Sequence, residues 1–289
     1  MTDEAATPPP DRAAEPPPPR QAVISGSTRL YAVLGDPVAQ VQSPGLLNPL
    51  FADQGVDAVL VPVEARPDDL ERVVRGLQRI ANLDGLFVTV PHKAAAARLA
   101  DRRSRTVEIT GTANVLRREA DGQWLAENFD GSGFVAGLAR AGHRLAGRRV
   151  ALAGAGGAGS AIAAALLAAG ADRLTLTDPD LPKRDQLLDR LAAHWPGRVR
   201  AAAEPPLPES DLAVNATPLG MRPTDPLPFP PELLPPGAVV ADIVMKPRET
   251  PLLRRAAAAG HQVHHGSHML TGQLESYLTF FGLPAPATG

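Results

Sequence analysis

The sequence predicts an α/β protein made of two α/β domains. Short apolar runs alternate with amphipathic or alanine-rich stretches along most of the chain, which favours parallel sheets covered by helices. The alternation occurs as two series, with a change between them near residues 130–149. A glycine-rich turn at residues 154–159 joins an apolar run to an alanine-rich stretch, as at a strand-to-helix junction.

The composition excludes several classes of protein. The chain has 289 residues and a formal net charge of −2, so it can hold sizeable cores, and a nucleic-acid partner is not expected. No apolar run reaches the roughly 18 residues of a membrane span, so no membrane partner is expected either. Because the chain contains no cysteine, we expect a reducing compartment, the cytoplasm.

The first 27 residues differ from the rest of the chain. They contain proline runs at 8–10 and 16–19 and almost no large apolar side chains. Such a segment buries too little surface to offset the entropy of ordering it. We therefore predict a disordered tail over residues 1–27, with a proline-rich docking motif as the alternative.

The first series, residues 28–130, is interpreted as one domain. Its predicted strands are Leu30–Leu34, Ala58–Val63 and Gly85–Val90, and its predicted helices follow Ser43 and cover Asp68–Arg79 and Ala94–Ala100. Ser43 is the expected N-cap of the first helix. Lys93 therefore follows a strand end and opens a helix.

The second series, residues 131–266, is interpreted as a second domain. Its predicted strands are Val150–Ala153, Leu174–Thr177, Asp211–Asn215 and Val239–Ile243, with a helix at Ser160–Ala169. A proline-rich loop at 223–236 separates the last two of these strands. A final helix near Thr271–Phe281 is expected to return to the first domain, which residues 267–289 would complete.

The turn at 154–159 reads Gly-Ala-Gly-Gly-Ala-Gly. In a Rossmann-type domain, a first glycine such as Gly154 permits the tight turn and a second, Gly156, lets the backbone approach a pyrophosphate. A third, Gly159, allows close helix packing, and the amides at the helix start favour the diphosphate. The turn predicts an NAD(P) site; a glycine-rich turn without a ligand is the alternative.

Asp178 follows Gly154 by 24 residues and ends the next predicted strand, and Rossmann domains place an acid on the ribose hydroxyls about 20 residues on. A carboxylate there would repel a 2′-phosphate, which favours NAD over NADP. Lys183 and Arg184 lie close by in sequence and keep NADP possible. Alternatively, Asp178 only begins the turn Asp178-Pro179-Asp180.

Several segments together resemble the shikimate/quinate dehydrogenase family. They cover the chain from about residue 31 to 282, in order. They are Gly35–Ala39 with Ser43-Pro44, Val88–Lys93, Asn114, Asn128–Gly131, Gly154–Ala158, Asn215–Met221, Thr250–Leu253, and Met269-Leu270 with Gln273.

The resemblance implies a cleft in which a cyclic alcohol faces the nicotinamide, and a role in aromatic amino acid biosynthesis or quinate metabolism. It implies that Lys93 is the acid/base, with Asp130 beside it; a lysine removes such a proton when burial favours its neutral form. Without the resemblance, Lys93 would be interpreted as a solvated lysine and Asp130 as a turn residue. Implied substrate contacts are Gln40, Ser43, Thr89, Asn114 and Gln273. Implied cofactor contacts are Gly154, Ala155, Gly156, Gly157, Ala158, Gly159, Asp178, Thr217, Ile243 and Gly266.

The chain departs from the family at four polar positions, all of which are apolar here. The family's substrate-binding serine, asparagine, threonine and tyrosine correspond to Val41, Phe87, Phe129 and Met245. Apolar walls would leave the carboxylate and hydroxyls of shikimate unpaired. We therefore expect a less polar cyclic substrate. The family's Asn-Arg-Thr, whose arginine holds the 2′-phosphate, reads Asp178-Pro179-Asp180 here, which again favours NAD.

Four of the seven histidines crowd together at His261, His264, His265 and His268. Imidazole suits zinc or copper, but no Asp, Glu or Cys stands nearby to complete a site, so no metal is predicted. The expected function is that of an NAD(P)-dependent dehydrogenase, acting as a monomer or homodimer on a small cyclic substrate. The alternatives are a catalytically idle NAD-binding metabolite sensor and an amino-acid- or folate-dehydrogenase-like activity.

Overall fold

Two six-stranded sheets organise the molecule, which a computed structural model describes over residues 24–284. The α/β class predicted above is confirmed, with nine α-helices within that range. Of the predicted tail, residues 1–23 lie outside the described residues; next to them, Ser27 donates a 2.6 Å hydrogen bond to Asp57. Within residues 24–284, no helix is long and apolar enough to cross a membrane.

The first sheet has the strand order β2-β1-β3-β5-β6-β4. Its strands are β1 (Arg29–Gly35), β2 (Ala58–Glu64), β3 (Leu83–Val88), β4 (Arg102–Arg103), β5 (Val115–Arg118) and β6 (Trp124–Glu127). β1 pairs in parallel with β2 and β3, but β5 runs antiparallel to both β3 and β6. The expectation of parallel strands is therefore wrong for this half of the sheet. The turn from Glu119 to Gln123 is too short for a parallel crossover.

Along the chain, the helices of the first domain mainly alternate with these strands. They are α1 (Ser43–Asp53), α2 (Leu70–Leu77), α3 (Lys93–Leu99) and α4 (Arg105–Thr110); α5 (Asp130–Arg140) follows β6 and opens the stretch assigned above to the second domain. The expectation that Ser43 caps α1 is wrong, because Ser43 is the first helical residue and Gln42 precedes it as the cap. Pro44 lies in the first turn, where its fixed φ and missing N–H are tolerated.

The second sheet is parallel throughout, with the order β12-β11-β10-β7-β8-β9. Its strands are β7 (Arg149–Ala153), β8 (Arg173–Thr177), β9 (Val199–Ala201), β10 (Leu212–Asn215), β11 (Val239–Asp242) and β12 (Gln262–His265). Its helices are α6 (Gly157–Ala168), α7 (Leu181–His194) and α8 (Pro251–Ala258). The strand order reverses beside β7, which is where ligands bind in doubly wound sheets.

The last helix, α9 (Ser267–Phe281), returns to the first domain and packs against α5. The two helices approach closely through glycines: a Cβ on Gly272 would lie 2.2 Å from the carbonyl oxygen of Gly133. α5 also packs against α6 of the second domain. The start of α5 is therefore held between both domains, and this position determines where Asp130 lies.

Candidate active site

Lys93 and Asp130 form a largely buried ion pair between the two domains. Lys93 opens α3 directly after the loop that follows β3, and Asp130 opens α5. The Lys93 Nζ donates to the Asp130 Oδ2, and the two side chains are 12% and 4% exposed. The two residues that the sequence analysis selected for proton transfer are thus in direct contact.

Two side-chain amides complete the surroundings of the Asp130 carboxylate. Asn114 Nδ2 donates to its Oδ1 over 3.1 Å, and Gln273 Nε2 donates to the same oxygen over 3.2 Å. Asn114 is itself held, because its Oδ1 accepts the backbone N–H of Phe129 at 3.0 Å. Lys93, Asp130, Asn114 and Gln273 are called the polar network below. Its donors fix the orientation of the carboxylate from two sides.

Tyr277 is a member of this site that sequence reasoning missed. Its hydroxyl accepts from Asn114 Nδ2 at 3.0 Å and donates to Gln273 Oε1. Burial, and then the charge of Asp130, raises the pKa of Tyr277 well above its ordinary value, so the phenol stays protonated. The available signal was its spacing, since Tyr277 lies four residues after Gln273 and therefore on the same face of α9.

Apolar side chains pack together at three of the four positions that depart from the family pattern. The rings of Phe87 and Phe129 meet that of Tyr277 edge to face, with centroids 5.1 and 5.7 Å apart. These three residues are called the aromatic wall, and Val41 packs against the same cluster. Met245 lies apart from them and packs against the core of the second domain.

The other predicted substrate contacts lie on loops near β1 and β3. Gln40 Nε2 donates to the carbonyl of Pro37 at 2.7 Å, so this side chain holds its own loop. A Cβ on Gly35 would lie 2.6 Å from the Thr89 methyl group, so the close approach of Thr89 requires glycine there. Ser43 stands at the start of α1. Contacts between these residues and a substrate remain predictions.

The glycine-rich turn forms a tight loop over the end of β7. Gly154 has a φ of +106°, and a Cβ there would lie 2.7 Å from the carbonyl oxygen of Ala216. A Cβ on Gly159 would lie 2.0 Å from the Gly154 carbonyl oxygen, whereas one on Gly156 would meet nothing within 4 Å. The loop is therefore packed at its two ends and open at Gly156. That opening is where a pyrophosphate can approach the backbone.

Gly157 joins this loop to the polar network. A Cβ on Gly157 would lie 2.8 Å from both Cβ and Cδ of Lys93, so the lysine stem lies directly against the glycine. The Gly157 carbonyl also accepts a 3.1 Å hydrogen bond from Thr112 Oγ1 in the first domain. The loop predicted to hold the cofactor thus touches the residue predicted to transfer the proton.

Asp178 braces the glycine-rich loop from the end of β8. Its Oδ2 accepts the backbone N–H of Ala155 at 2.7 Å, and its Oδ1 accepts that of Asp180 at 2.9 Å. Lys183 Nζ lies 3.0 Å from Oδ2, and the Asp178 side chain is 5% exposed. Asp178 therefore does begin the local turn, and it also reaches the loop. Contact between Asp178 and a ribose hydroxyl stays a prediction.

The remaining predicted cofactor contacts lie on loops at the ends of β10, β11 and β12. Thr217 Oγ1 donates to Asn215 Oδ1 at 2.6 Å, and a Cβ on Gly266 would lie 2.6 Å from the carbonyl oxygen of Ile243. Behind them Asp242 binds Asn215 and Thr250. Burial raises the pKa of Asp242, and its hydrogen bonds oppose that rise.

The histidine group lies where β12 leads into α9. His264 is buried and stacks on His268 with ring centroids 4.7 Å apart, and His143 approaches it to 6.1 Å. Burial, and then the neighbouring imidazoles, lowers the pKa of His264 to about 4. Within residues 24–284, no group of three or more His, Cys, Asp or Glu side chains is arranged to hold a metal ion.

Comparisons with known proteins agree with this architecture. Residues 33–116 match the model of the shikimate dehydrogenase substrate binding domain. The chain is 41% identical over 255 residues to the shikimate dehydrogenase (NADP(+)) of Rubrobacter xylanophilus, covering 86% of this chain and 89% of that one. The shikimate dehydrogenase structure from Aquifex aeolicus superposes with a TM-score of 0.82 at 28% identity, covering 91% and 96% of the two chains.

A further solved structure extends the comparison to quinate and NAD. The quinate dehydrogenase of Corynebacterium glutamicum in complex with NAD gives a TM-score of 0.78 at 27% identity, covering 89% of this chain and 94% of that one. The predicted arrangement of an N-terminal substrate domain and a Rossmann-type domain is confirmed by these relatives. The chain belongs to the shikimate dehydrogenase family, as its sequence motifs indicated, and is an NAD(P)-dependent oxidoreductase acting on a CH–OH group.

Proposed function

We propose that this protein reversibly oxidises a ring hydroxyl of a cyclic substrate that is less polar than shikimate, with NAD as the preferred coenzyme and Lys93 as the acid/base. The observation that carries the proposal is the contact between Lys93, Asp130 and Gly157. It joins an acid/base pair to the loop expected to hold the coenzyme. The residues around that loop suit a dinucleotide, because Gly156 leaves its backbone open and Asp178 stands at the end of the next strand, where Rossmann domains place the acid that binds a ribose.

The proton chemistry follows from the position of the pair. When bound, the nicotinamide takes up the hydride that leaves the alcohol carbon. For oxidation, Lys93 gives the proton of its hydrogen bond to Asp130 and takes up the hydroxyl proton as the carbonyl forms; the reverse reaction moves both protons back. Asp130 aligns the Lys93 Nζ, and Asn114 and Gln273 hold Asp130 in place.

The aromatic wall supports a less polar substrate. A hydroxyl or carboxylate oriented toward Phe87 or Phe129 would lose water and gain no hydrogen bond from these side chains. An unpaired hydroxyl costs about 1 to 3 kcal/mol, and an unpaired carboxylate costs more. A ring that is less hydroxylated on that side avoids the cost and gains from apolar contact.

The preference for NAD rests on Asp178. Its carboxylate stands at the end of β8 beside the glycine-rich loop, where a 2′-phosphate would be repelled. The neighbouring Lys183 offsets part of that charge. The Rubrobacter relative is named for NADP(+), and the Corynebacterium structure holds NAD, so both coenzymes occur among proteins of this architecture.

Steady-state kinetics with NAD and NADP test the proposal directly, using shikimate, quinate and less hydroxylated cyclic alcohols. We expect at least about a tenfold preference for NAD, equal to about 1.4 kcal/mol, and the highest kcat/KM on a less hydroxylated ring. Efficient turnover of shikimate at micromolar KM would overturn the substrate proposal. A tenfold preference for NADP would overturn the role of Asp178.

A catalytically idle, NAD-binding sensor is the second candidate function, and the full internal pairing of Asp130 favours it. A Lys93→Ala variant separates the two functions, because a sensor keeps its ligand binding and its downstream effect, whereas a dehydrogenase loses turnover. Retention of both Lys93 and Asp130 supports the dehydrogenase. The proposal also includes a cytoplasmic location, supported by the absence of cysteine, and a monomeric or homodimeric state, to be measured by sedimentation.

A further inference from the structure

The hydroxyl of Tyr277 lies at the junction of the polar network and the aromatic wall. It touches the side-chain amides of both Asn114 and Gln273, the two residues that hold Asp130. Its ring packs against Phe87 and Phe129. Tyr277 is buried, so water does not compete for these hydrogen bonds.

The phenol and the Asn114 side-chain amide together determine which way the Gln273 amide faces. The Gln273 Oε1 accepts the Tyr277 hydroxyl, and Asn114 Nδ2 lies 3.3 Å from the same oxygen. The Gln273 Nε2 must then face the other way, where it donates to Asp130 Oδ1 at 3.2 Å. If the amide turned over, Gln273 Oε1 would face the carboxylate and repel it, and the network would lose a donor.

We infer that Tyr277 is a positioning residue that acts through Gln273 on the orientation of Asp130, and thereby on Lys93. The inference rests on the proposed roles of Lys93 and Asp130 in proton transfer. It assigns Tyr277 no contact with the substrate. Loss of the Tyr277 hydroxyl therefore slows the chemical step and leaves substrate binding unchanged.

Replacing Tyr277 by Phe is the test, because the ring and its packing are kept and only the hydroxyl is lost. We expect kcat to fall by about tenfold or more, with the substrate KM and the NAD Kd within about twofold of the wild type. The matched control is Tyr31→Phe. Tyr31 is also buried and lies in the same aromatic cluster, stacked edge to face on Phe281, but its hydroxyl is outside the polar network.

A double-mutant cycle separates positioning from loss of stability. If Tyr277 acts through Gln273, adding Tyr277→Phe to Gln273→Leu lowers kcat no further than Gln273→Leu alone. A purely structural role would give additive losses in thermal stability and an unchanged kcat for the folded enzyme. Equal kcat in Tyr277→Phe and wild type, or additive losses of kcat in the cycle, would overturn the inference.

An activity-independent measurement distinguishes failure of this inference from failure of the proposed function. The side-chain amide signals of Gln273 in a ¹⁵N-correlated NMR spectrum are assigned by their loss in Gln273→Leu. We expect these signals to shift and to exchange faster with solvent in Tyr277→Phe, and to stay unchanged in Tyr31→Phe. Unchanged signals in Tyr277→Phe would overturn the inference. If no substrate is turned over, the proposed function fails, and the spectrum still decides whether Tyr277 orients Gln273.

Discussion

The two sides of the candidate active site are built on different principles. On one side, the polar network pairs an ammonium, a carboxylate and two amides with one another. On the other, the rings of Phe87 and Phe129 pack against that of Tyr277, with Phe87 buried. Charges need fixed partners to be held away from water, whereas apolar surface needs only shape. We therefore expect changes in the polar network to alter the rate for every substrate, and changes in the wall to alter which substrate is used.

The largest expected effect is loss of the acid/base on the polar side. Lys93→Met keeps a stem of similar shape against Gly157 and removes the amine. We expect kcat to fall about 10²- to 10⁴-fold with every substrate, while the NAD Kd, measured by fluorescence titration, stays within about threefold. Arg98→Met on the exposed face of the same helix is the control. A fall in kcat confined to one substrate would contradict the expectation that changes in the polar network alter the rate for every substrate.

The aromatic wall is tested by restoring a hydroxyl at one position. Phe129→Thr returns the residue type that the family pattern has there, and we expect kcat/KM for shikimate to rise about tenfold, the value of one new hydrogen bond. The control is Phe129→Val, which opens nearly the same space without a hydroxyl. If kcat/KM for shikimate rises equally in both variants, the space available in the site, and not a hydrogen bond, limits the use of shikimate.

The comparison also shows what the sequence could and could not predict. Lys93 could be placed because an apolar run ends at Val90-Pro91 and an alanine-rich helix follows, both local signals. Helix α5 was missed because its start, Asp-Gly-Ser-Gly, is a poor helix former. Those glycines instead allow α5 to pack closely on α6 and α9: a Cβ on Gly131 would lie 2.1 Å from the Ala161 carbonyl oxygen.

Contacts between segments far apart in the chain could not be predicted from the sequence. Asn114 and Gln273 were chosen by resemblance, but nothing local places them on the same carboxylate oxygen, since they are 159 residues apart. Tyr277 is an apolar-face residue by its helical spacing, and only the return of α9 to β5 and α5 shows that its hydroxyl meets Asn114. Long-range packing thus supplied the part of the site that motifs left out.

A smaller effect is expected at Asp178, in the region proposed to bind the coenzyme. Asp178 is part of neither the polar network nor the aromatic wall. Asp178→Asn removes the charge, and its amide oxygen can still accept the Ala155 N–H. We expect the ratio of kcat/KM for NAD to that for NADP to fall about tenfold, or about 1.4 kcal/mol, because the repulsion of a 2′-phosphate is relieved.

Asp180→Asn is the matched control for that prediction. It makes the same change of charge two residues later, where the side chain caps α7 by accepting the Lys183 N–H at 3.1 Å. An equal change of coenzyme preference in both variants would show that net charge near the cleft, and not the position of Asp178, sets the preference. We expect kcat with NAD to stay unchanged in both variants, because neither substitution alters the polar network.

The smallest expected effect concerns α9, which carries Gln273 and Tyr277 and so supports both sides. His264 packs against the rings of His268 and His143, and burial, together with these imidazoles and that of His265, lowers its pKa from 6.5 to about 4. The unfolded chain therefore binds more protons than the folded protein between these two values. Stability is unaffected above about pH 6.5, falls as the pH drops through the window, and has lost this contribution fully below about pH 4. At pH 5.5 we expect a loss of about 1 kcal/mol.

Urea unfolding at pH 5.5 and 7.5 measures this loss, with His264→Leu expected to remove most of it and the exposed His194→Leu to leave it unchanged. Since α9 supports both sides, acid should broaden substrate choice in the wild type more than in His264→Leu. Acid that lowers kcat and leaves selectivity intact would show that the aromatic wall holds its shape independently of the helix that carries Tyr277.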